Sequence, residues 1–252
     1  MSVANLHRPA WVDLSTSDPA WARAFYAEVL GWQVEVETDP QYGGYAMARV
    51  DGHDVAGIGP AQTGAPTAWM LYLGTDDAAA LGARVAAAGG TVVMPAMTVG
   101  DVGTMAVFQD PSGAFISAWQ PDTMPGFHTG VPGAYAYAEL NSRKLDAALA
   151  FYQGVFGWTT EAVPLPDGSV YTRLRHDGEP IGGAMPVQPM VPAEVPSYWM
   201  VYFATDDADA TFARALAAGG SEMVAPTPFP GGRFAIVRDP QGAFFALYQR
   251  GH

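Results

Sequence analysis

The spacing of apolar residues changes period repeatedly along the chain. From Asp18 to Gly31, the residues Trp21, Ala24, Phe25 and Val29 recur on one helical stripe. Asp18 suits the cap of this helix, Pro19 its first turn and Gly31 its end. The preceding WVDLS, after Pro9, reads as a short strand. YAMARV and DVAGIG are strand-like runs on either side of the turn Asp51-Gly52. WMLYLG is a further strand, and DDAAALGARVAAAGG a second helix closed by a glycine pair. TVVMPA, TMAVFQ and AFISAW complete the set, the last two joined by the turn Asp110-Pro111-Ser112-Gly113. The order predicts β-α-β-β-β twice.

The whole arrangement then recurs. DPAWARAFYAEVLGW (18–32) returns as KLDAALAFYQGVFGW (144–158), and both Phe25/Phe151 and Tyr45/Tyr171 lie 126 positions apart. The segment starting WMLYLGTDDAAAL (69) returns as WMVYFATDDADAT (199) at an offset of 130, and FQDPSGAFISAWQ (108) as VRDPQGAFFALYQ (237) at 129. The offset changes only in Pro- and Gly-rich stretches, where loops tolerate insertion. The expected organisation is therefore two tandem domains, 7–121 and 132–250, joined by a linker at 122–131.

The FYxxVLGW and FYxxVFGW helices, the DDAAAL…AAAGG helix and the DPxGAF turn, in this order and occurring twice, resemble the vicinal oxygen chelate (glyoxalase/bleomycin-resistance/dioxygenase) superfamily over nearly the whole chain. Tandem members of this kind include glyoxalase-like hydroxylases. The resemblance implies an α+β fold in which each domain contains two βαβββ modules, forming a pair of curved half-barrels of long antiparallel strands around a cavity.

In that superfamily the enzymes usually hold a divalent metal in the cavity through His, Gln or Glu. Carried onto this chain, the ligand positions fall on Trp11, Met70 and Ser117 in the first copy and on Tyr137, Met200 and Ala246 in the second. The fourth falls in GIG (57–59) and GGA (182–184). None supplies carboxylate or imidazole. The expectation is no metal and no cofactor, which disfavours an extradiol dioxygenase. His7, His53, His128, His176 and His252 lie near termini, in or beside turns, or in the linker, and are expected at the surface.

Strand alternation places further residues on the same faces. Trp11 and Asp13, Met70 and Tyr72, and Phe115, Ser117 and Trp119 share faces in the first copy. In the second they are Tyr137, Glu139 and Asn141, then Met200 and Tyr202, then Phe244, Ala246 and Tyr248. Such linings suit an organic ligand, although the same side chains could instead fill a small barrel. The candidate substrate-binding residues are Trp11, Met70, Tyr72, Ser117, Trp119, Tyr137, Met200, Tyr202 and Tyr248. Asp13 and Glu139, at matching positions in WVDL and YAEL, are the candidate catalytic residues. Among aromatics a carboxylate would have a raised pKa and could move a proton or pair with a cation; a strand-end or backbone-satisfied role is the alternative. Asp76-Asp77 and Asp206-Asp207 sit where helix caps are needed, and Asp110 and Asp239 where turns are.

Composition narrows the partners. The chain has 252 residues and a net charge of −13, from 12 basic and 25 acidic side chains. This disfavours nucleic acid and anionic membranes and favours a cationic or aromatic small organic ligand. There are no cysteines, hence no disulfide, thiolate site or cysteine nucleophile. No apolar run reaches the length of a signal peptide or a membrane span, so a cytoplasmic location is expected. Two functions fit: a metal-independent enzyme acting on an aromatic or polyketide-like metabolite, hydroxylase-like or lyase-like by resemblance, or a non-catalytic ligand-sequestering protein of the bleomycin-resistance type. Monomer and homodimer both remain open.

Overall fold

The structure is a computed structural model and describes residues 5–165, 168–189 and 191–251. The first repeat runs through β1 (Pro9–Thr16), α1 (Pro19–Leu30), β2 (Gln33–Val36), β3 (Ala46–Val50), β4 (His53–Pro60), β5 (Ala68–Gly74), α2 (Ala78–Ala87), β6 (Thr91–Val99), β7 (Gly103–Gln109) and β8 (Phe115–Pro121). The second repeats this order as β9 (Tyr135–Ser142), α3 (Leu145–Phe156), β10 (Thr159–Pro164), β11 (Val170–His176), β12 (Glu179–Pro186), β13 (Tyr198–Ala204), α4 (Ala208–Ala217), β14 (Ser221–Phe229), β15 (Gly232–Arg238) and β16 (Phe244–Arg250).

Each repeat forms one open eight-stranded sheet, ordered β2-β3-β4-β1-β5-β8-β7-β6 in the first and β10-β11-β12-β9-β13-β16-β15-β14 in the second. The fold is thus α+β with two tandem domains of two βαβββ modules, and neither sheet closes into a barrel. The expectation of antiparallel strands needs one correction. The first strand of each module pairs parallel with its last, as in β1 with β4 and β5 with β8. The helix after the first strand carries the chain over the sheet, so the remaining strands meander back to lie beside it.

Local signals explain most boundaries. Asp18 Oδ1 accepts from the Trp21 amide and Gly31 closes α1 in the left-handed region. Asp77 and Asp207 cap α2 and α4 in the same way. Asp51 and Gly52 both take positive φ in the β3–β4 turn, which suits a tight hairpin. Strand β2 alternates Val34 and Val36 with Gln33 and Glu35, but it is only four residues long and its side chains are mostly exposed. The longest difference between the repeats lies in the connections 61–67 and 187–197, where the sequence offset rises from 126 to 130. Met190, in the second connection, is outside the described residues. The edge strands β6 and β14 carry register shifts and prolines, features that blunt edge-to-edge pairing.

By contacts the chain divides into two compact units, each drawing on both repeats. One comprises residues up to Trp11, Leu71–Gly126 and Ala138–Met200; the other comprises Val12–Met70, Phe127–Tyr137 and the chain from Val201 onward. In the second of these, α1 packs against α4, and the fully buried Tyr26 forms the hub of the core. Its hydroxyl donates to Asp239 Oδ2 at 3.0 Å and accepts from Trp69 Nε1 at 3.0 Å. Trp32 stacks on its ring, and Phe203 and Phe245 close around the cluster. The first unit has the same hub. The Tyr152 hydroxyl accepts from Trp199 Nε1 at 2.8 Å and faces Asp110, while Trp158 stacks on the ring. Burial, and then the facing aspartate, push both phenols well above their usual pKa, so both remain protonated.

Each of these aspartates also builds its turn. Asp110 Oδ1 accepts from the Ser112 and Ala114 amides, and Asp239 Oδ1 from those of Gln241 and Ala243. The turn role expected from sequence is real, and the buried tyrosine adds a second one.

The surface reading of the histidines needs correction. His7 and His176 meet in the first unit with ring centroids 5.6 Å apart, and His7 also lies edge-on to Phe156. Their Nε2 and Nδ1 atoms, respectively, are buried and lack a hydrogen-bond partner among the described residues. His7 is held there because its amide donates to Gly74 O and its carbonyl accepts from Trp158 Nε1. His53 and His128 are exposed, as expected, and stack at 4.6 Å in the other unit. His252 lies outside the described residues.

Two outcomes follow from these cores. Tyr26→Phe should lower stability by about 1–3 kcal/mol, because it leaves a buried carboxylate oxygen and an indole N–H without their partner. Urea unfolding measures this, and an unchanged midpoint would reject the hub. Burial, with Arg84 and His176 adding to it against the weaker pull of Asp76, lowers the pKa of His7 below 6.5. The folded state therefore binds this proton less readily than the unfolded chain. The stability from neutral His7 is complete above pH 6.5 and is lost as pH falls below it. Replacing His7 with Gln should flatten the fall in stability on the acid side of that value in unfolding titrations.

Candidate functional site

The predicted site residues fall in both compact units. In the unit containing Asp13, strand β1 places that carboxylate opposite Gly57 of β4, and Gly57 in turn is opposite Met47 of β3. Asp13 is half-buried, whereas its strand neighbours Val12 and Leu14 are fully buried. Tyr45, immediately before β3, donates its hydroxyl to Asp13 Oδ2 at 3.3 Å. Its ring runs over two glycines. A Cβ on Gly57 would overlap the Tyr45 hydroxyl, and one on Gly59 would come within 2.9 Å of the ring. The missing side chains are what admit the phenol.

The same unit holds Met70, half-buried on β5, and a group of aromatics from the second repeat. Tyr137 and Tyr202 meet edge-on with centroids 5.9 Å apart, and Tyr202 is opposite Ala246. Tyr248 donates to Gly231 O at 3.0 Å and lies 5.8 Å from the Phe229 ring.

In the other unit, Glu139 occupies the matching place on β9, opposite Gly183 of β12. Asn141 Nδ2 donates to its Oε1 at 3.1 Å. Burial raises the Tyr198 pKa, and the charge of Glu139 adds to this against the opposing Arg143. Trp11 and Met200 are buried, and Tyr72 is opposite the buried Ser117, whose hydroxyl has no hydrogen-bond partner among the described residues. Trp119 donates to Met124 O at 2.9 Å and covers Gly103. A polar recess of about 200 Å³ in this unit, lined by Thr98, Gly103, Gln120 and Asp122 among others, includes none of the predicted residues.

The residues matched by comparison with known proteins cover both repeats. The sequence profile of the Glyoxalase/Bleomycin resistance protein/Dioxygenase superfamily fits residues 8–117 and again 134–247. The chain belongs to this superfamily. It is 41% identical over 246 residues to "Putative glyoxylase CFP32" of Mycobacterium tuberculosis, covering 95% of this chain and 93% of that protein. It is 38% identical over 258 residues to "Anthracycline biosynthesis protein DnrV" of Streptomyces peucetius, covering 96% and 92%. Among solved structures, the Mn(II)-bound glyoxalase from Novosphingobium aromaticivorans superposes with a TM-score of 0.68 at 19% identity, covering 96% of this chain and 82% of that one. The 2,3-dioxygenase LapB of Pseudomonas sp. KL28 gives 0.67 at 18%, covering 100% and 94%. At these identities the structures share the fold.

The superfamily's divalent metal can be tested against the residues present. Trp11, Met70, Ser117, Tyr137, Met200 and Ala246 offer no hard anionic or imidazole donor. At Gly57 the space beside Asp13 is taken by the Tyr45 phenol. Among the described residues, no three His, Asp or Glu side chains gather where they could hold an ion. These residues do not fit a divalent metal. Tyr45 is the site residue that sequence reasoning missed. Its match with Tyr171 marked the repeat, and GIG marked a lost ligand, but nothing local tied the tyrosine to the glycines.

Elemental analysis of the purified protein, dialysed without chelator, should find no stoichiometric divalent metal. One metal per chain, lost on Asp13→Ala, would defeat this reading.

Proposed function

We propose that this chain is a metal-independent small-molecule enzyme of the superfamily, acting on an aromatic or polyketide-like metabolite. The observation that carries the reading is the Asp13–Tyr45 pair: an acceptor-rich carboxylate held by a phenol at the place where the superfamily's metal chemistry has no donors here. Asp13, and Glu139 in the second repeat, take or give the proton. Within one unit Met70, Tyr137, Tyr202 and Tyr248, and within the other Trp11, Tyr72, Trp119 and Met200, supply the apolar and aromatic groups for a planar ligand, with Ser117 adding a hydroxyl. The relationship to a protein named for anthracycline biosynthesis supports a polyketide-derived aromatic as the ligand class. No nucleic-acid or membrane partner is part of the reading.

Ligand sequestration without turnover is the second reading. The net charge of −13 favours it, since an acidic protein concentrates a cationic drug or metabolite around itself. Because one relative is named as a glyoxylase, the hemithioacetal of methylglyoxal and glutathione serves as a control compound.

Titration with doxorubicin, a fluorescent, amine-bearing anthracycline, followed by product analysis, separates these readings. Binding with altered product supports the enzyme, and binding with unchanged ligand supports sequestration. Asp13→Asn should weaken binding or turnover about tenfold or more, the scale of a charge-assisted hydrogen bond, with the fold retained. EDTA should change nothing. Turnover of the hemithioacetal alone, abolished by EDTA, would overturn the proposal.

A further inference from the structure

We propose that Tyr45 is the positioning residue of the candidate site: its phenol, laid over the side-chain-free Gly57 and Gly59, fixes the Asp13 carboxylate to receive an O–H or N–H⁺ group of the ligand. The inference deepens the function proposed above and rests on it for the ligand.

Three observations meet here. First, Tyr45 reaches Asp13 across strand β4, through a hydrogen bond to Oδ2. A phenol donor both orients a carboxylate and favours its ionised form. Second, the two glycines are sterically committed to this arrangement. They alternate along β4, so they share one face, and both are buried and contact the same ring. Glycine inside a strand costs packing and entropy, so its use here marks a close approach. Neither glycine takes a positive φ. The absent Cβ, and not backbone freedom, is therefore what the site requires. Third, the floor is specific to the first repeat. At the offset of 126, Gly57 matches Gly183, but Gly59 matches Met185.

The chemistry defines the ligand group. An ionised carboxylate only accepts hydrogen bonds, and a phenol whose proton is given to it presents its oxygen as a further acceptor. The pair therefore reads a donor: the hydroxyl of a phenol or alcohol, or an ammonium. A ketone or ester carbonyl finds no donor in this pair.

Two readouts test the proposal, one of them independent of any ligand. ¹³C NMR titration of the Asp13 carboxyl, assigned with Asp13→Asn, follows its ionisation in the ligand-free protein. Tyr45→Phe, which keeps the ring, should move the midpoint upward, because the carboxylate loses a donor that favours its ionised form. Gly57→Ala, which replaces neither polar residue but sets a Cβ against the Tyr45 hydroxyl, should displace the phenol and move the midpoint in the same direction, with circular dichroism confirming the fold. Doxorubicin affinity should fall about tenfold in both variants. The N-acetyl derivative of the drug distinguishes the donor. Equal loss with both ligands assigns a hydroxyl, and loss confined to the free amine assigns an ammonium. An unchanged Asp13 midpoint in Tyr45→Phe overturns the proposal, and an unchanged midpoint in a folded Gly57→Ala overturns the role of the glycine floor. If the wild-type protein fails to bind doxorubicin, the proposed ligand class fails, while the midpoints still decide the role of Tyr45.

Discussion

A tyrosine hydroxyl buried between an indole and a carboxylate organises each half of this protein. Tyr26 is hydrogen-bonded to both Trp69 and Asp239; Tyr152 is hydrogen-bonded to Trp199 and faces Asp110, whose Oδ2 has no hydrogen-bond partner among the described residues. Burying a phenol, an indole N–H and a carboxylate together is tolerable only when they satisfy one another. Once they do, little else is free to vary. The tyrosine fixes the rotation of its helix, the tryptophan fixes the strand after the long connection, and the aspartate fixes the turn before the last strand. Because one oxygen of Asp239 holds the tyrosine and the other holds its own turn, the turn cannot shift without disturbing the helix.

That scaffold leaves the other sheet residues room to diverge. On β1, Val12 and Leu14 are buried without exception, while Asp13 and Ser15 are half-exposed. The same alternation on β9 sets Glu139 among buried neighbours, with Asn141 hydrogen-bonded to it. The two repeats thus share a framework and differ in how they treat the carboxylate at its matching position.

The division between what was legible in the sequence and what was not follows the range of the interactions. The caps at Asp18, Asp77 and Asp207, the closure at Gly31 and the DPxG turns act within a few residues, so their residue types announce them. The repeat supplied the module order. Partner choice is different. Nothing near Tyr26 indicates that its acceptor lies 213 positions away. His7 and His176 stand near a terminus and beside a turn, where exposure is the ordinary outcome, and only a long-range meeting half-buries them and covers one ring nitrogen of each. Gly57 and Gly59 read as the loss of a ligand because an absent side chain has meaning only when the neighbour that uses the space is known. Strand β2 escaped notice because its alternation, Val34 and Val36 against Gln33 and Glu35, spans only four residues and its side chains are mostly exposed.

The exchange of aspartates between repeats has a consequence for inheritance. Tyr26 of the first copy depends on Asp239 of the second, and Tyr152 of the second on Asp110 of the first. After a duplication, two copies normally become free to accumulate changes separately. Here a substitution at the tyrosine of one copy is felt at the turn of the other. Either repeat without the other would leave its buried tyrosine without the aspartate that faces it. The two repeats are therefore one unit of selection: they can drift apart where a ligand would touch them, but each remains answerable to the other at its core.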